Sequence, residues 1–375
     1  MIQPMKRKLS FFCVLCLGML SCAAQDAAPQ PQPAPAAPTP TAVIGSDVAQ
    51  PTPAPAPAPS EAEATPAPSP APASGDMKVA KAQPVEDVDV MTRLQIFLDQ
   101  QKFGPGKIDG RGKLFTAQAL DRYRQAHGLP INGLIDKDIP LDSVYPIFTT
   151  YQIKQDDLKY VGDWSIKPAM ESKLKYAFYP SLLEFVSERY HSDPDFLVKL
   201  NKGKNLEKLK VGDIVRVPNV EPFKLEDLVE NPSLPMKKDF VNRLITVDVE
   251  NKMLDLYDGD KLLASFPITP GSEKLPAPKG TWKILGICEL PNFRWDEAML
   301  EHGVRSKDFY MIPNGPRNPV GVMWMGLNKP GIGIHGTNSP WNIGRTGSHG
   351  CIRVANWDII RLSAMVTEGM KVIIK

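Results

Sequence analysis

Cysteine is scarce in this chain, with five in 375 residues, and histidine is equally scarce at five. Cys13, Cys16 and Cys22 crowd into the extreme N-terminus, which leaves Cys288 and Cys351 for everything that can fold. Two cysteines in an oxidising compartment would ordinarily suggest a bridge. Charge of one sign is missing as well: 44 Lys and Arg against 42 Asp and Glu leave a net charge of +2. Nothing in that balance argues for a nucleic-acid partner. Long apolar runs are also absent. The longest, from Leu9 to Leu20, falls short of the roughly 20 residues that a permanent transmembrane helix requires.

What is abundant is proline, at 38 residues, and it is unevenly spread. Residues 1–22 carry Lys6, Arg7 and Lys8, the short apolar run, and small residues from Ser21 onward, the three parts of a secretory signal. Gly18-Met19-Leu20-Ser21-Cys22 resembles a bacterial lipoprotein box, in which the cysteine, here Cys22, is acylated and anchors the protein to a membrane. Plain cleavage near Ala24 is the alternative, and both readings export the protein to the periplasm or cell envelope. Residues 23–85 are Pro, Ala, Gln, Thr and Ser with repeated Ala-Pro. They offer almost nothing apolar to bury, so the reading is a disordered, extended spacer.

The pattern changes at Val88. Leu94, Phe97 and Leu98 recur at helical spacing, as do Ala117, Leu120 and Tyr123. A turn-rich loop, Gly104-Pro105-Gly106-Lys107-Ile108-Asp109-Gly110, separates the two sets. With Leu94-Gln95, Asp109-Gly110, Thr116 to Leu120 and Gly128 to Asp136, residues 86–140 resemble the small three-helix peptidoglycan-binding domain. They depart from it after Gly110, where Arg111-Gly112-Lys113 replaces the usual Phe-Gly pair. Residues 147–220 begin with an alternating strand at Tyr151, continue through helix-like stretches at 182–190 and after Pro194, and close on Gly212 to Pro218. Their second half is similar to the end of a LysM module, a βααβ unit that binds N-acetylglucosamine-containing glycans. An insertion between Trp164 and Pro180 breaks the match in the first half. A polar linker is expected from Glu221 to Lys238.

The remainder, residues 242–375, reads as a β-rich domain. Ile245, Val247 and Val249 alternate with Leu244, Thr246 and Asp248, and Asp258-Gly259 lies where two such runs meet in a hairpin. Further strands are expected at 282–287, 322–327, 332–335 and 372–374, with one amphipathic helix from Asn356. The chemistry concentrates at 334–354. His335 ends an apolar run, and His349 and Cys351 follow in a glycine-rich segment. A free thiol titrates at about 8.5 and reacts as thiolate, so an imidazole within reach supplies the activation. Gly350 lets the chain bend tightly beside Cys351, leaving peptide N–H groups free to hold an oxyanion. A cysteine with two histidines is also a partial zinc donor set. No Cys-x-x-Cys or acid cluster accompanies it in this segment, and structural zinc wants four ligands. No metal and no cofactor is expected.

His335-Gly336-Thr337 and Ser348-His349-Gly350-Cys351-Ile352-Arg353 resemble the active-site signature of the L,D-transpeptidase catalytic domain, the YkuD type. Thr269-Pro270-Gly271 and Gly280-Thr281 fit that family too. The resemblance implies a multidomain α+β protein ending in a β-sandwich catalytic domain. It implies a cysteine enzyme acting on peptidoglycan stem peptides, with Cys351 as nucleophile, His335 as base, Gly336 fixing the tautomer through its carbonyl, and His349 and Gly350 completing the catalytic loop. Ser348, Arg353, Trp341, Asn342 and Tyr310 are the candidate substrate-binding residues. A disulfide to Cys288 would consume the nucleophile, so Cys288 is read as core. Transfer to a neighbouring stem makes a 3–3 cross-link. Transfer to water (an L,D-carboxypeptidase) or to a protein amine, and a non-catalytic wall-binding protein, are the competing outcomes.

Overall fold

The computed structural model describes residues 87–165, 167–230 and 240–375. The expected signal, the acylated Cys22 and the Pro/Ala-rich spacer all lie outside the described residues.

Helices α1 (Val88–Gln100) and α2 (Leu114–Ala126) pair through Leu94, Phe97, Leu98, Ala119, Leu120 and Tyr123, all buried. Asp87 caps α1 by accepting from the N–H groups of Asp89 and Val90. The polar residues that carried the first resemblance form one network. Gln95 Oε1 accepts from the Asp109 and Gly110 N–H groups, while its Nε2 donates to Asp109 Oδ1 and Thr116 Oγ1. Gly110 needs to be glycine: its φ is +67°, and a Cβ would stand 2.7 Å from Val88 Cγ1. The described unit has two helices followed by a 3-10 turn, Leu141–Ser143, where a third helix was expected. Arg124, fully buried, ties the connecting loop by donating to Pro130 O and Leu134 O and pairing with Asp136.

Strands β1 (Phe148–Gln152) and β2 (Ile214–Pro218) pair antiparallel. Between them lie α3 (Pro168–Glu171), α4 (Leu182–Arg189, capped by Ser181) and α5 (Pro194–Leu200, capped by Asp193). The order is therefore β-α-α-β with the short α3 inserted after β1. The linker is in part structured. Leu225 and Leu228, one helical turn apart in α6 (Leu225–Glu230), are buried with Phe223, and Glu226 holds Arg189 through two bonds of 2.7 and 3.0 Å.

The C-terminal domain has strands β3 (Leu244–Asp248), β4 (Met253–Asp258), β5 (Lys261–Thr269), β6 (Gly280–Glu289), β7 (Phe293–Trp295), β8 (Tyr310–Ile312), β9 (Met323–Leu327), β10 (Gly333–His335), β11 (Ile352–Val354) and β12 (Lys371–Ile374). Helix α7 (Glu297–His302) joins β7 to β8, and α8 (Asn356–Ser363) follows β11. Instead of a two-layer sandwich, eight strands close into one barrel in the order β10-β11-β5-β4-β3-β12-β6-β9. Long strands turn its corners. β6 pairs with β12 at its start and with β9 at its end, and its register with β9 shifts between Ile284 and Gly286, the kind of irregularity that bends a strand from one face to the next. β5 does the same between β4 and β11. Trp357, Ile359 and Leu362 of α8 are buried in the main core.

Candidate active site

β10 and β11 are parallel neighbours, with Ile334 opposite Ile352 and His335 opposite Arg353. Parallel neighbours need a long crossover, and residues 336–350 are that crossover. The chain leaves the barrel at His335 and returns at Cys351, which is why two residues far apart in sequence share one end of the barrel. The crossover is pinned to the Thr269-Pro270-Gly271 turn. Gly344 N–H donates to Thr269 Oγ1 (2.7 Å), Ser348 N–H to Pro270 O (3.2 Å), and Ser272 N–H to Ser348 O (2.9 Å). A Cβ on Gly271 would lie 2.2 Å from Ala277 N, so only glycine fits this close crossing.

His335 is buried, and its Nδ1 lies 2.6 Å from Gly336 O. A carbonyl can only accept, so Nδ1 carries the proton and Nε2 keeps its lone pair. The ring stacks on Trp324, directly opposite on β9, with centroids 5.4 Å apart and planes at 22°. Burial pushes the imidazole down to about 3, and the Arg353 charge acts the same way. Cys351 is a free, half-buried thiol whose Sγ sits 3.4 Å from Gly331 O. Burial pushes it up to about 11, against opposing effects of a backbone bond from Gly333 and of Arg353. With the imidazole lowered and the thiol raised, the pair favours thiol and neutral imidazole at rest. Among the described residues no hydrogen bond joins Sγ to the ring.

The loop around the thiol bends sharply and leaves backbone donors beside it. Gly350 has φ +98°, which turns the chain back on itself before Cys351. Among the described residues the N–H groups of Gly350 and Cys351 donate to no backbone acceptor. Ser348 is buried and donates through Oγ to Cys351 O at 2.5 Å, so it braces the loop. Arg353 donates to Gly347 O (3.0 Å). His349 is exposed, with burial and Arg353 both lowering its pKa.

A cavity of about 200 Å³ brings His335, Ser348, His349, Cys351 and Arg353 together with Trp324 and Ile332. Its far wall is Trp295, Met299, Leu300 and Gly303, from β7 and α7. Three expected residues are elsewhere. Tyr310 is about half exposed on β8, across from Trp295. Asn342 bonds Ser339 Oγ at 2.8 Å. Trp341 lines a separate cavity of about 220 Å³ beside Phe115, Lys113 and Arg345. Two residues that sequence reasoning passed over matter here. Trp324 had only its strand position to mark it. Asn356 was read as a helix start, yet it is fully buried, accepting from the Thr337 and Val322 N–H groups and donating to Thr337 O.

Comparison with known proteins bears on the same segment. Residues 242–374 match the model of YkuD, the L,D-transpeptidase catalytic domain. This part of the chain is an L,D-transpeptidase catalytic domain. The chain is 28% identical over 190 residues to a Bacillus licheniformis protein named as the L,D-transpeptidase YkuD, a match covering 51% of this chain and 91% of the relative. A Bacillus subtilis protein of the same name is 31% identical over 132 residues, 35% of this chain and 64% of that protein. Among solved structures, an L,D-transpeptidase from Mycobacterium smegmatis is similar at 21% identity and a TM-score of 0.29, covering 36% of this chain and 58% of that one. The catalytic domain so defined contains His335, Gly336, Ser348, His349, Gly350, Cys351 and Arg353, and excludes everything before residue 242.

Proposed function

We propose that the protein is an exported cysteine L,D-transpeptidase that acts on peptidoglycan stem peptides through a thioester on Cys351. The observation that carries this reading is the His335 Nδ1 bond to Gly336 O, which leaves the unprotonated Nε2 as the proton acceptor at the cavity that holds the Cys351 thiol. Because both groups rest neutral, proton transfer accompanies attack: His335 Nε2 takes the thiol proton as Sγ bonds to the donor carbonyl carbon. The resulting oxyanion lies against the Gly350 and Cys351 N–H groups. The C–N bond to the terminal D-Ala then breaks, His335 returns the proton to the leaving amine, and a thioester remains. An acceptor amine attacks the thioester, gives its proton to His335, and the thiol is restored as the new amide forms, a 3–3 cross-link when that amine belongs to a neighbouring stem.

The two units upstream, residues 87–220 of the described chain, supply no second nucleophile and base of this kind. We assign them to wall binding, the first as a peptidoglycan-binding unit and the second, with its β-α-α-β order, as a LysM-like one. Cys22 would supply the membrane anchor. The test is mass spectrometry of muropeptides after incubation with the purified protein. Cross-linked dimers that vanish with Cys351→Ala support the reading. Trimmed monomers would make water the acceptor, and products that persist with Cys351→Ala would refute the nucleophile.

A further inference from the structure

A chain of hydrogen bonds leads from His335 out of the catalytic domain. The peptide joining Gly336 to Thr337 accepts at its carbonyl from His335 Nδ1 (2.6 Å) and donates through Thr337 N–H to Asn356 Oδ1 (3.0 Å). Asn356 Nδ2 in turn donates to Glu188 Oε1 at 2.8 Å. Glu188 belongs to α4, in the unit upstream of the catalytic domain, and is 1% exposed, while Asn356 is 0% exposed. The space for the amide is kept by two glycines: a Cβ on either Gly321 or Gly336 would stand 2.2 Å from Asn356 Oδ1.

We propose that Glu188 is a positioning residue for the His335–Cys351 pair: its carboxylate, acting through the Asn356 amide and the 336–337 peptide, orients and polarises the imidazole. An ionised carboxylate only accepts, so it takes Asn356 Nδ2 and leaves Oδ1 for the Thr337 and Val322 N–H groups. A protonated carboxyl can donate instead, which permits the amide to turn over and sets two donors against the two N–H groups. Hydrogen bonds in such a series polarise one another in a buried setting, so the Glu188 charge makes Gly336 O a better acceptor for Nδ1–H. The upstream unit thus supplies the carboxylate that closes the relay in other nucleophile–base triads.

Burial pushes Glu188 up to about 7, against hydrogen bonds from Tyr179 and Asn356 and the charge of Arg317, with Glu184 adding to the rise. Those groups face it from every side: Tyr179, Tyr176 and Glu184 from its own unit, Arg317 from the loop before β9, and Asn356 from α8. The sign follows from these directions. The folded protein keeps a proton on Glu188 between about pH 4.5 and 7 that the unfolded chain has lost, so this group lowers stability as pH rises through that window. Turnover moves the other way, increasing as the carboxylate forms.

The proposal rests on Cys351 and His335 being the reacting pair, and the experiment separates the two. In the full chain, turnover of a stem tetrapeptide is measured against pH for the wild type and for Glu188→Ala, Glu188→Gln, Glu171→Gln and Cys351→Ala, with thermal melts at each pH. Glu188→Ala should lower kcat about tenfold or more at nearly unchanged KM, as expected for a displaced base. Glu188→Gln keeps an acceptor for Asn356 but not the charge, so it should recover part of that loss and flatten the acid limb near pH 7. Glu171 is also buried and pushed up to about 7 but has no bond to the relay, and Glu171→Gln should keep the limb. Wild-type kinetics in folded Glu188→Ala, or an acid limb that survives Glu188→Gln, would overturn the proposal. Full turnover by Cys351→Ala would instead remove the reading beneath it.

Discussion

Before α8, His335 is buried and Cys351 half-buried; His335 Nδ1 bonds Gly336 O, while Cys351 Sγ bonds Gly331 O and takes a backbone bond from Gly333. Within α8, Arg361, its side chain 19% exposed, sits among charged partners. It makes two bonds of 2.9 and 2.8 Å to Asp99 of α1, and Asp99 also holds His191 at 3.0 Å, whose ring stacks on Trp357. Burial opposes charge in both places, and the outcome depends on who answers it. At Asp99 the charges of Arg361 and His191 outweigh burial and hold the carboxyl below its usual range. At His335 the Arg353 charge adds to burial, and at Cys351 it opposes burial without outweighing it, so both groups favour their neutral forms. The first arrangement ties three segments of the chain together. The second leaves a thiol and a base that can change charge during a reaction.

Four measurements break or sharpen this contrast. Cys351→Ala has the largest expected effect: no detectable turnover, with melting close to the wild type. His335→Ala should lower turnover by about 10²–10⁴-fold, the worth of a positioned base. The alkylation profile of Cys351 in that variant should still lie above the ordinary thiol value of about 8.5, because burial sets it; a midpoint falling to that value would mean the imidazole had held the thiol in its unusual state. At the charged cluster, Asp99→Ala leaves Arg361 without its counter-ion and should cost about 3–5 kcal/mol of unfolding free energy in denaturant titration. A loss below 1 kcal/mol would place that pair among the weak surface bridges. The smallest effect is expected for Asp358→Asn. Burial pushes Asp358 up to about 8, Asp99 adding and Arg361 opposing, so the folded state retains a proton that the unfolded chain has lost above about pH 4. Wild-type stability should decline relative to Asp358→Asn from about pH 4 to about 8 and run parallel beyond it.

The strands of the catalytic domain were legible because their apolar residues repeat at a period of two and their turns carry Asp-Gly and Pro-Gly. The two upstream helices were legible at a period near four. After Gly128 the described chain forms a loop that Pro130, Gly133 and Pro140 interrupt and Arg124 organises, so a third helix of the resembled domain is not found there. Closure of the sheet was illegible for a different reason. A bend inside β6 depends on which partner each half finds, and no local pattern records that choice.

At the candidate site, His335, Gly336, Ser348, Gly350 and Cys351 could be read directly, since nucleophile, base and loop glycines are functions of residue type and local backbone. Trp341 and Asn342 lie in the crossover but outside the cavity lining, and Tyr310 stands on β8 across from Trp295 rather than in it. Trp324, Asn356 and Glu188 were invisible because each acts through a contact between distant segments. The sequence by itself determined which atoms could react, the bends that glycine permits beside them, and the periodicities of the elements that carry them. Only the tertiary structure decided that His335 and Cys351 are both neutral and that an upstream helix reaches the base through Asn356. Protonation state and orientation depend on burial and on partners far along the chain, and neither is written in local sequence.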